Sequence, residues 1–324
     1  MMRLRFLAMT LLASSLIACG GGGGGSSSDS SPYTGITTAA AITPMNADTI
    51  VRGAYQGGDT GTSLVSPLSP SAGETQSVST ASPPKVLSIV QVLREISGKA
   101  RVQRFTSGGV APRAVVTDSG VLDDGIGGTV AYSVSVDDQT GAFTGSFTAN
   151  NYHGDSGGTI SGGMAVSGTY NIAADVFDNI NFAFSALTVT DTDASSSVTV
   201  SGSVKLLNGN PATGTVTLFL TDNVTGKTDW IDNFTINVTE GTGYVTATLS
   251  GKIYLHDYGF VVISTPTPFY FIAGDSYPSS GTMIVTGASD GRARLTVSDS
   301  TSYTVDVDAN GDGTYETSSS HTWI

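Results

Sequence analysis

From about Gly127 to the C-terminus, apolar residues alternate with small or polar residues in one short segment after another. Side chains point alternately to the two faces of a β-strand, so this pattern predicts strands with one buried face. The first pair of segments, Val130 to Val136 and Phe143 to Phe147, flanks the turn sequence Asp137–Gly141 and predicts a hairpin. The alternation recurs in Phe182-Phe184, Val198-Val200, Val216-Leu218-Leu220, Phe234-Ile236-Val238, Val245-Ala247-Leu249, Ala293-Leu295-Val297 and Val305-Val307.

Turn residues separate these segments, and no helical pattern interrupts them. This order favours an antiparallel meander over a parallel sheet with crossover helices. A Val/Leu-Ser-Gly signature recurs at Gly168, Gly202 and Gly251. Glycine inside a strand marks a bulge, a bend or a close backbone approach, which lets a sheet curl. We therefore predict a mainly β fold, an antiparallel meander forming a barrel or β-sandwiches, with one N-terminal amphipathic helix.

The segment predicted to be this amphipathic helix covers residues 84–98. Apolar residues of PKVLSIVQVLREIS fall on one stripe at helical spacing. Pro84 suits the first helical position, and Gly98 suits the residue just past the end. We expect this stripe to pack on the β region or to plug an opening in it.

Two further boundaries follow from composition. Residues 32–83 contain the Gly-, Ser-, Thr- and Pro-rich stretch from Gly57 to Ser82 and predict a loosely ordered leader, in which Ala39 to Val51 could form a short helix. Asn208-Gly209-Asn210-Pro211 is the strongest break within the β-rich part. It predicts two β subdomains, residues 109–207 and residues 212–324.

The N-terminus has the form of an export signal. Arg3 and Arg5 precede an apolar run from Phe6 to Ile17, which is too short to cross a bilayer as a helix. The run ends in Leu16-Ile17-Ala18-Cys19, which resembles the lipobox of bacterial lipoproteins. That resemblance implies a signal peptide over residues 1–18 and lipid attachment at Cys19. Several acyl chains on one residue anchor a protein stably to a membrane.

Residues 19–31 follow as a flexible Gly/Ser tether. By resemblance to enterobacterial lipoproteins, Gly20 rather than Asp after the cysteine favours the outer membrane. The extracellular and the periplasmic side both remain open. The chain carries 14 basic and 27 acidic residues and has no basic cluster, so it would repel nucleic acid. A protein or glycan ligand is therefore the expected kind of partner.

The stretch HGDSGGTI, His153 to Ile160, is similar to the nucleophile motif of trypsin-like serine proteases, with Ser156 as the nucleophile. It also fits the Gly-x-Ser-x-Gly pattern of α/β-hydrolases. The trypsin order needs a histidine well upstream, but the first histidine of the chain is His153, three residues before Ser156. The α/β-hydrolase order could use His256 or His321 as the base.

An α/β-hydrolase nucleophile lies between a strand and a helix, whereas Thr159 to Tyr170 is β-rich. We therefore interpret Gly154 to Gly158 as a polar turn between strands and expect no enzymatic activity. A serine hydrolase using Ser156 is the alternative.

The C-terminal sequence VDVDANGDGTYE resembles the start of a calcium loop. Asp308, Asn310 and Asp312 occupy alternate positions before Gly313, and oxygen donors at this spacing can surround one cation. Glu316 falls at the ninth position rather than the twelfth of an EF-hand, and the flanking segments look like strands. A Ca²⁺ site formed by Asp308, Asn310, Asp312 and Glu316 is one interpretation. A plain hairpin with Asn310-Gly311 or Asp312-Gly313 at its tip is the other.

Three features together resemble a group of uncharacterised proteobacterial lipoproteins. They are the lipobox with its tether, the leader YTGITTAAAITPMNADTI, and the order HDYGFVVISTPTPF, PSSGTMIVTGASDGRARL and DVDANGDGTYE. The resemblance implies a lipid-anchored outer-membrane lipoprotein and brings no catalytic residues. We expect a non-enzymatic binding or structural surface module. A calcium-stabilised cell-surface module is a further alternative.

Overall fold

The computed structural model describes residues 32–65 and 115–323, apart from 138, 154–157, 172–175, 192–195, 273–274 and 276. Within these residues one α-helix, α1 (Ala47–Val65), precedes fourteen strands. The strands are β1 (Val116–Asp123), β2 (Thr129–Val136), β3 (Ala142–His153), β4 (Thr159–Asn171), β5 (Val176–Thr190), β6 (Ser197–Leu207), β7 (Ala212–Asp222), β8 (Thr228–Gly241), β9 (Tyr244–Leu255), β10 (Gly259–Ile272), β11 (Ser280–Thr286), β12 (Arg292–Asp299), β13 (Ser302–Asp308) and β14 (Thr317–Thr322).

The strands form a single antiparallel sheet in which each strand pairs with its neighbour in the chain. The predicted meander is therefore confirmed, as is the first hairpin, in which Val136 of β2 pairs with Phe143 of β3. β1 and β14 are the two edges of this sheet, so its described residues do not close into a barrel.

Apolar residues on one face of the sheet form one continuous core. Most of the alternating residues in the sequence pattern are buried there, including Val200, Val216, Phe234 and Leu295. Helix α1 packs on this face and contacts β7, β8 and β9 as well as β12 and β13. α1 thus covers the apolar face over strands that are far apart in the order of the sheet.

Two glycines bring α1 close to β9. A Cβ atom added to Gly57 would lie 2.7 Å from Ile253 Cδ1, and one added to Gly53 would lie 3.0 Å from a methyl group of Leu255. Ile50 and Val51 are fully buried in the same interface. The predicted short helix over Ala39 to Val51 is thus displaced, because the helical segment begins at Ala47.

The segment before α1 is ordered, although the leader was predicted to be loose. Ala40 and Ile42 are buried, and the Ala40 N–H donates a 2.8 Å hydrogen bond to the Phe260 carbonyl on β10. Tyr33 contacts Trp230 and Tyr254 on the face of the sheet opposite α1. Between Tyr33 and α1 the chain therefore passes from one face of the sheet to the other.

The break at Asn208 to Pro211 is the turn of the β6–β7 hairpin. β6 and β7 pair from Leu207↔Thr213 to Val198↔Asp222, so the two predicted β subdomains share one sheet. The described residues from Pro32 to Trp323 group as one compact unit. The strong turn signal reflects the Asn-Gly and Asn-Pro sequences, which end a strand wherever they occur.

Several predicted features lie outside the described residues. They are the signal peptide, Cys19, the tether, the helix over residues 84–98, and Ser156. No helix among the residues that are described is long and apolar enough to cross a membrane.

Candidate functional site

The predicted cation site lies in the loop between β13 and β14, residues 309–316, which we call the C-terminal loop. β13 ends at Asp308 and β14 begins at Thr317, and Val307 pairs with Thr317 across the base of the loop. The Glu316 N–H donates a 2.9 Å hydrogen bond to the Val307 carbonyl. The hairpin thereby returns Glu316 to a position beside Asp308.

Asp308 is the only charged residue in the buried part of the described structure and has no exposed surface. Its Oδ1 accepts the Gly311 N–H at 2.7 Å, and its Oδ2 accepts the Gly313 N–H at 2.9 Å. Both glycines have positive φ, at 75° and 90°. They give the turn the backbone conformation that points their N–H groups back at one carboxylate.

Asn310 and Asp312 form the second layer of the loop. Asn310 Oδ1 accepts the Asp312 N–H at 2.8 Å, and Asp312 Oδ1 accepts the Thr314 N–H at 2.8 Å. The hydrogen bond from Thr314 is the largest cause that holds the pKa of Asp312 below its usual value of 3.8. Asp312 is therefore a carboxylate near neutral pH.

The loop brings together three of the four predicted ligands by their carboxylates. One oxygen each of Asp308, Asp312 and Glu316 lies within 4.8 Å of the others, with Asp308 buried and the other two exposed. The Asn310 amide joins them, because its Nδ2 donates to Asp312 Oδ2 at 3.2 Å. Carboxylate and amide oxygens are the ligands that Ca²⁺ prefers, at distances of about 2.3–2.6 Å. The residues present fit a calcium ion in chemical type and in number of carboxylates.

Two contacts that sequence analysis missed hold this loop against the sheet. Arg294 of β12 donates through Nε and Nη2 to Asp306 Oδ2 of β13, at 3.1 and 2.9 Å. The same guanidinium lies over the Tyr315 ring at 4.2 Å. The cross-strand register, which pairs Arg294 with Asp306, is the signal that could have revealed this contact.

A short 3-10 turn, Ala288–Asp290, supports the opposite side of the loop. A Cβ atom added to Gly311 would lie 2.3 Å from the Ser289 carbonyl oxygen. The backbones of the two turns therefore touch, and only glycine fits at position 311.

Of the motif around His153, the structure describes His153 itself and the residues from Gly158 onward. His153 ends β3 and pairs with Thr159 at the start of β4, as the predicted turn between strands requires. Its ring Nδ1 lies 2.7 Å from Asp124 Oδ2. The structure thus gives His153 a carboxylate partner, while Ser156 lies outside the described residues.

His256 and Asp257 do not act as a pair. The His256 Nδ1 accepts the Thr228 N–H at 3.2 Å, whereas Asp257 forms an ion pair with Lys227. Each of these two side chains of the β9–β10 turn thus has its own partner at or just before the start of β8.

Comparison with protein-family models, with curated proteins and with solved structures finds no match to this chain.

Proposed function

We propose that this protein is a lipid-anchored outer-membrane lipoprotein whose β-rich ectodomain acts as a binding or structural surface module. The observation that carries the proposal is the position of Tyr33. This residue is buried against Trp230 and Tyr254, two residues after the predicted tether ends at Ser31. A flexible tether is useful when a fixed point on a folded body follows it, and Tyr33 is such a point.

The proposed partner is a protein or a glycan that contacts the exposed face of the sheet. The acidic composition argues against nucleic acid. The membrane contact is assigned to the acyl groups on Cys19, the single cysteine of the chain.

Acylation is tested in cells that express the wild type, Cys19→Ala or the control Ser26→Ala. The cells are labelled with an alkyne fatty acid, and their membranes are then fractionated. We expect the wild type and Ser26→Ala to carry the label and to sediment with outer membranes. Cys19→Ala should remain unlabelled. Equal labelling of Cys19→Ala would overturn the anchor.

The side of the membrane is tested by protease treatment of intact cells, with a periplasmic protein as the leak control. Loss of the ectodomain while the control survives places the module outside and assigns it to adhesion or ligand capture. Protection of the ectodomain until the outer membrane is permeabilised assigns it to the periplasm and to envelope partners.

A calcium-stabilised cell-surface module is the second candidate, favoured by the three converging carboxylates of Asp308, Asp312 and Glu316. In this function the ion would offset the mutual repulsion of the carboxylates and hold the C-terminal loop in one conformation. The role is structural and is compatible with anchoring. The serine hydrolase using Ser156 stays a prediction from the sequence.

A further inference from the structure

A cluster of polar side chains connects the first turn of α1 with the edge strand β14. It contains Asp48 of α1, Tyr303 of β13, and Ser319 and His321 of β14. Ser319 and His321 are two residues apart and therefore share one face of the strand. Tyr303 is the cross-strand partner of His321, and their rings stack at 5.4 Å.

The distances connect a serine, a histidine and an aspartate in series. Ser319 Oγ lies 2.8 Å from His321 Nε2, and His321 Nδ1 lies 3.5 Å from Asp48 Oδ1. A carboxylate can only accept, so it favours the tautomer with the proton on Nδ1. Nε2 is then the acceptor, and the Ser319 hydroxyl donates to it. The other hydroxyl contact, to the Val305 carbonyl, is longer at 3.5 Å.

Two neighbours fix the Asp48 carboxylate. The Tyr303 hydroxyl donates a 2.8 Å hydrogen bond to Asp48 Oδ1, and Arg52 Nη1 lies 3.8 Å from Asp48 Oδ2. Burial, followed by the hydrogen bond to Asp48, raises the pKa of the Tyr303 phenol. The phenol therefore stays protonated and remains a donor to Asp48.

A cleft of about 450 Å³ opens beside His321 and is lined by Arg52, Ser302, Tyr303, Ser320, His321 and Thr322, so Ser319 and Asp48 lie next to it rather than in its lining. The Trp323 N–H donates a hydrogen bond to the Thr301 carbonyl, which precedes β13. Along an antiparallel strand, successive backbone N–H groups point alternately toward the paired strand and away from it. The Ser320 N–H therefore points away from β13. This N–H belongs to the residue directly after Ser319, and in many hydrolases the backbone N–H of the residue after the nucleophile is an oxyanion donor.

We propose that Ser319 is a nucleophile activated by His321, that Asp48 positions the imidazole, and that this cluster hydrolyses small carboxylic esters. This activity goes beyond the proposed anchoring and binding role and does not rest on it. The arrangement matches the chemical requirement of a nucleophile, a base and a group that orients the base. The 3.5 Å separation of imidazole and carboxylate is within the looser range of sites without substrate.

In the first step Ser319 Oγ attacks the ester carbonyl carbon, its proton passes to His321 Nε2, and the carbonyl electron pair moves to the oxygen. The Ser320 N–H and the Arg52 charge would stabilise this oxyanion. The oxyanion then collapses, the bond to the alcohol oxygen breaks, and the leaving alkoxide takes the proton from Nε2. Water attacks the acyl-Ser319 ester in the same way and releases the carboxylic acid.

The test uses the full lipoprotein in detergent, a fluorophosphonate probe and p-nitrophenyl acetate as the ester. Wild type should be labelled and should hydrolyse the ester. Ser319→Ala should lose labelling and lower the enzyme-dependent rate by at least about 100-fold. Ser318→Ala, next to it on the opposite face of β14, and Ser156→Ala should match the wild type. Absence of labelling, or labelling lost with Ser156→Ala instead, would overturn the proposal.

The Asp48→Asn variant tests whether Asp48 positions the His321 imidazole or only stabilises the fold. Asparagine keeps an oxygen that can accept from Tyr303, but its amide no longer selects the Nδ1–H tautomer of His321. We expect folding to persist by near-ultraviolet circular dichroism. The rate should fall on the order of 10²- to 10⁴-fold, with an altered pH–rate profile. A rate that changes only in parallel with stability, with the wild-type pH profile, would show that Asp48 has a purely structural role.

Discussion

Asp124 and His153 are joined twice: the Asp124 Oδ2 atom lies 2.9 Å from the His153 backbone nitrogen and 2.7 Å from its ring Nδ1. The other carboxylate oxygen accepts the N–H groups of Ile126 and Gly128 at 2.9 and 2.8 Å. One side chain thus ties the β1–β2 turn to the end of β3, because four hydrogen bonds converge on it.

This contact predicts an acid-sensitive hairpin. Burial alone would raise the pKa of Asp124, but the hydrogen bonds from His153, Ile126 and Gly128 outweigh it and hold the pKa well below 3.8. A carboxyl whose pKa is lowered in the folded state stabilises the fold above its unfolded pKa. That stability is lost as the pH falls below about 3.8. We expect Asp124→Asn to lower the thermal midpoint at pH 7 and to flatten the acid part of the stability curve.

Asp123→Asn is the matched control for this prediction. Asp123 is the last residue of β1 and borders the same turn, but its Oδ1 accepts only the Gly125 N–H among the hydrogen bonds that the structure describes for this side chain. Its thermal midpoint should stay close to wild type. If the two variants showed the same loss and the same pH dependence, the converging hydrogen bonds would not be the cause.

Strand alternation was the feature of the fold that could be predicted best, because its period of two depends on local geometry. The segments at Val198-Val200 and Phe234-Ile236-Val238 are buried as the pattern requires. The ordered segment from Tyr33 to α1 could not be predicted in the same way. Its sequence has no strong apolar periodicity. It is held by contacts with residues more than two hundred positions away, such as the hydrogen bond from Tyr33 to the Leu255 carbonyl.

The candidate site residues also differ in whether a local sequence pattern could predict them. Asp308, Asn310, Asp312 and Glu316 lie within one short loop, so their spacing could be recognised from the sequence. The Asp48 and His321 pair joins the first helix to the last strand, and no local pattern records such a contact. Only the strand pairing and the packing of α1 show it.

Calcium binding to the C-terminal loop predicts a stability change that depends on the ion. A ligand that binds only the folded state at about 100 times its Kd adds about 2.7 kcal/mol to the free energy of unfolding. We expect Ca²⁺ to raise the thermal midpoint of the wild type relative to chelator. Asp308→Asn and Asp312→Asn should remove most of this increase. Differential scanning calorimetry measures it.

Asp299→Asn is the control for the calcium experiment. Asp299 is the last residue of β12, and its Oδ1 accepts hydrogen bonds from Thr301 and Ser302 across the turn to β13. This variant should keep the full calcium-dependent shift, whatever its own stability. An equal shift in all variants would place any bound calcium elsewhere, and no shift in the wild type would leave the plain hairpin as the correct interpretation.

The backbone conformation and close packing at position 202 require glycine. Its φ is +120°, and an added Cβ atom would lie 2.2 Å from the Thr217 carbonyl oxygen. We expect Gly202→Ala to cost at least about 2 kcal/mol, because the backbone must shift and the residue is strained. Gly163→Ala should be nearly neutral, since its Cβ would meet Ser185 at an ordinary 3.7 Å. Urea unfolding of both variants compares them; equal losses would mean that close backbone approach is unimportant.

Tyr33 fixes the start of the ordered domain through its ring and its hydroxyl. The ring packs 5.5 Å from the Tyr254 ring, and the hydroxyl donates to the Ile36 carbonyl at 3.0 Å. Burial, followed by the charge of Asp229, raises the pKa of Tyr33 from 10.0 to about 12. The fold therefore favours the neutral phenol.

Tyr33→Phe tests this raised pKa, because it keeps the ring and removes the titrating group. Near pH 7 we expect it to cost about 1 kcal/mol, the usual net value of a hydrogen bond. A raised folded-state pKa gives stability that is complete below pH 10.0 and is lost as the pH rises through about 12. The advantage of the wild type should therefore shrink over that interval in urea unfolding. Tyr244→Phe, at a more exposed ring, is the control. An advantage that stayed constant with pH would show that Tyr33 does not resist ionisation.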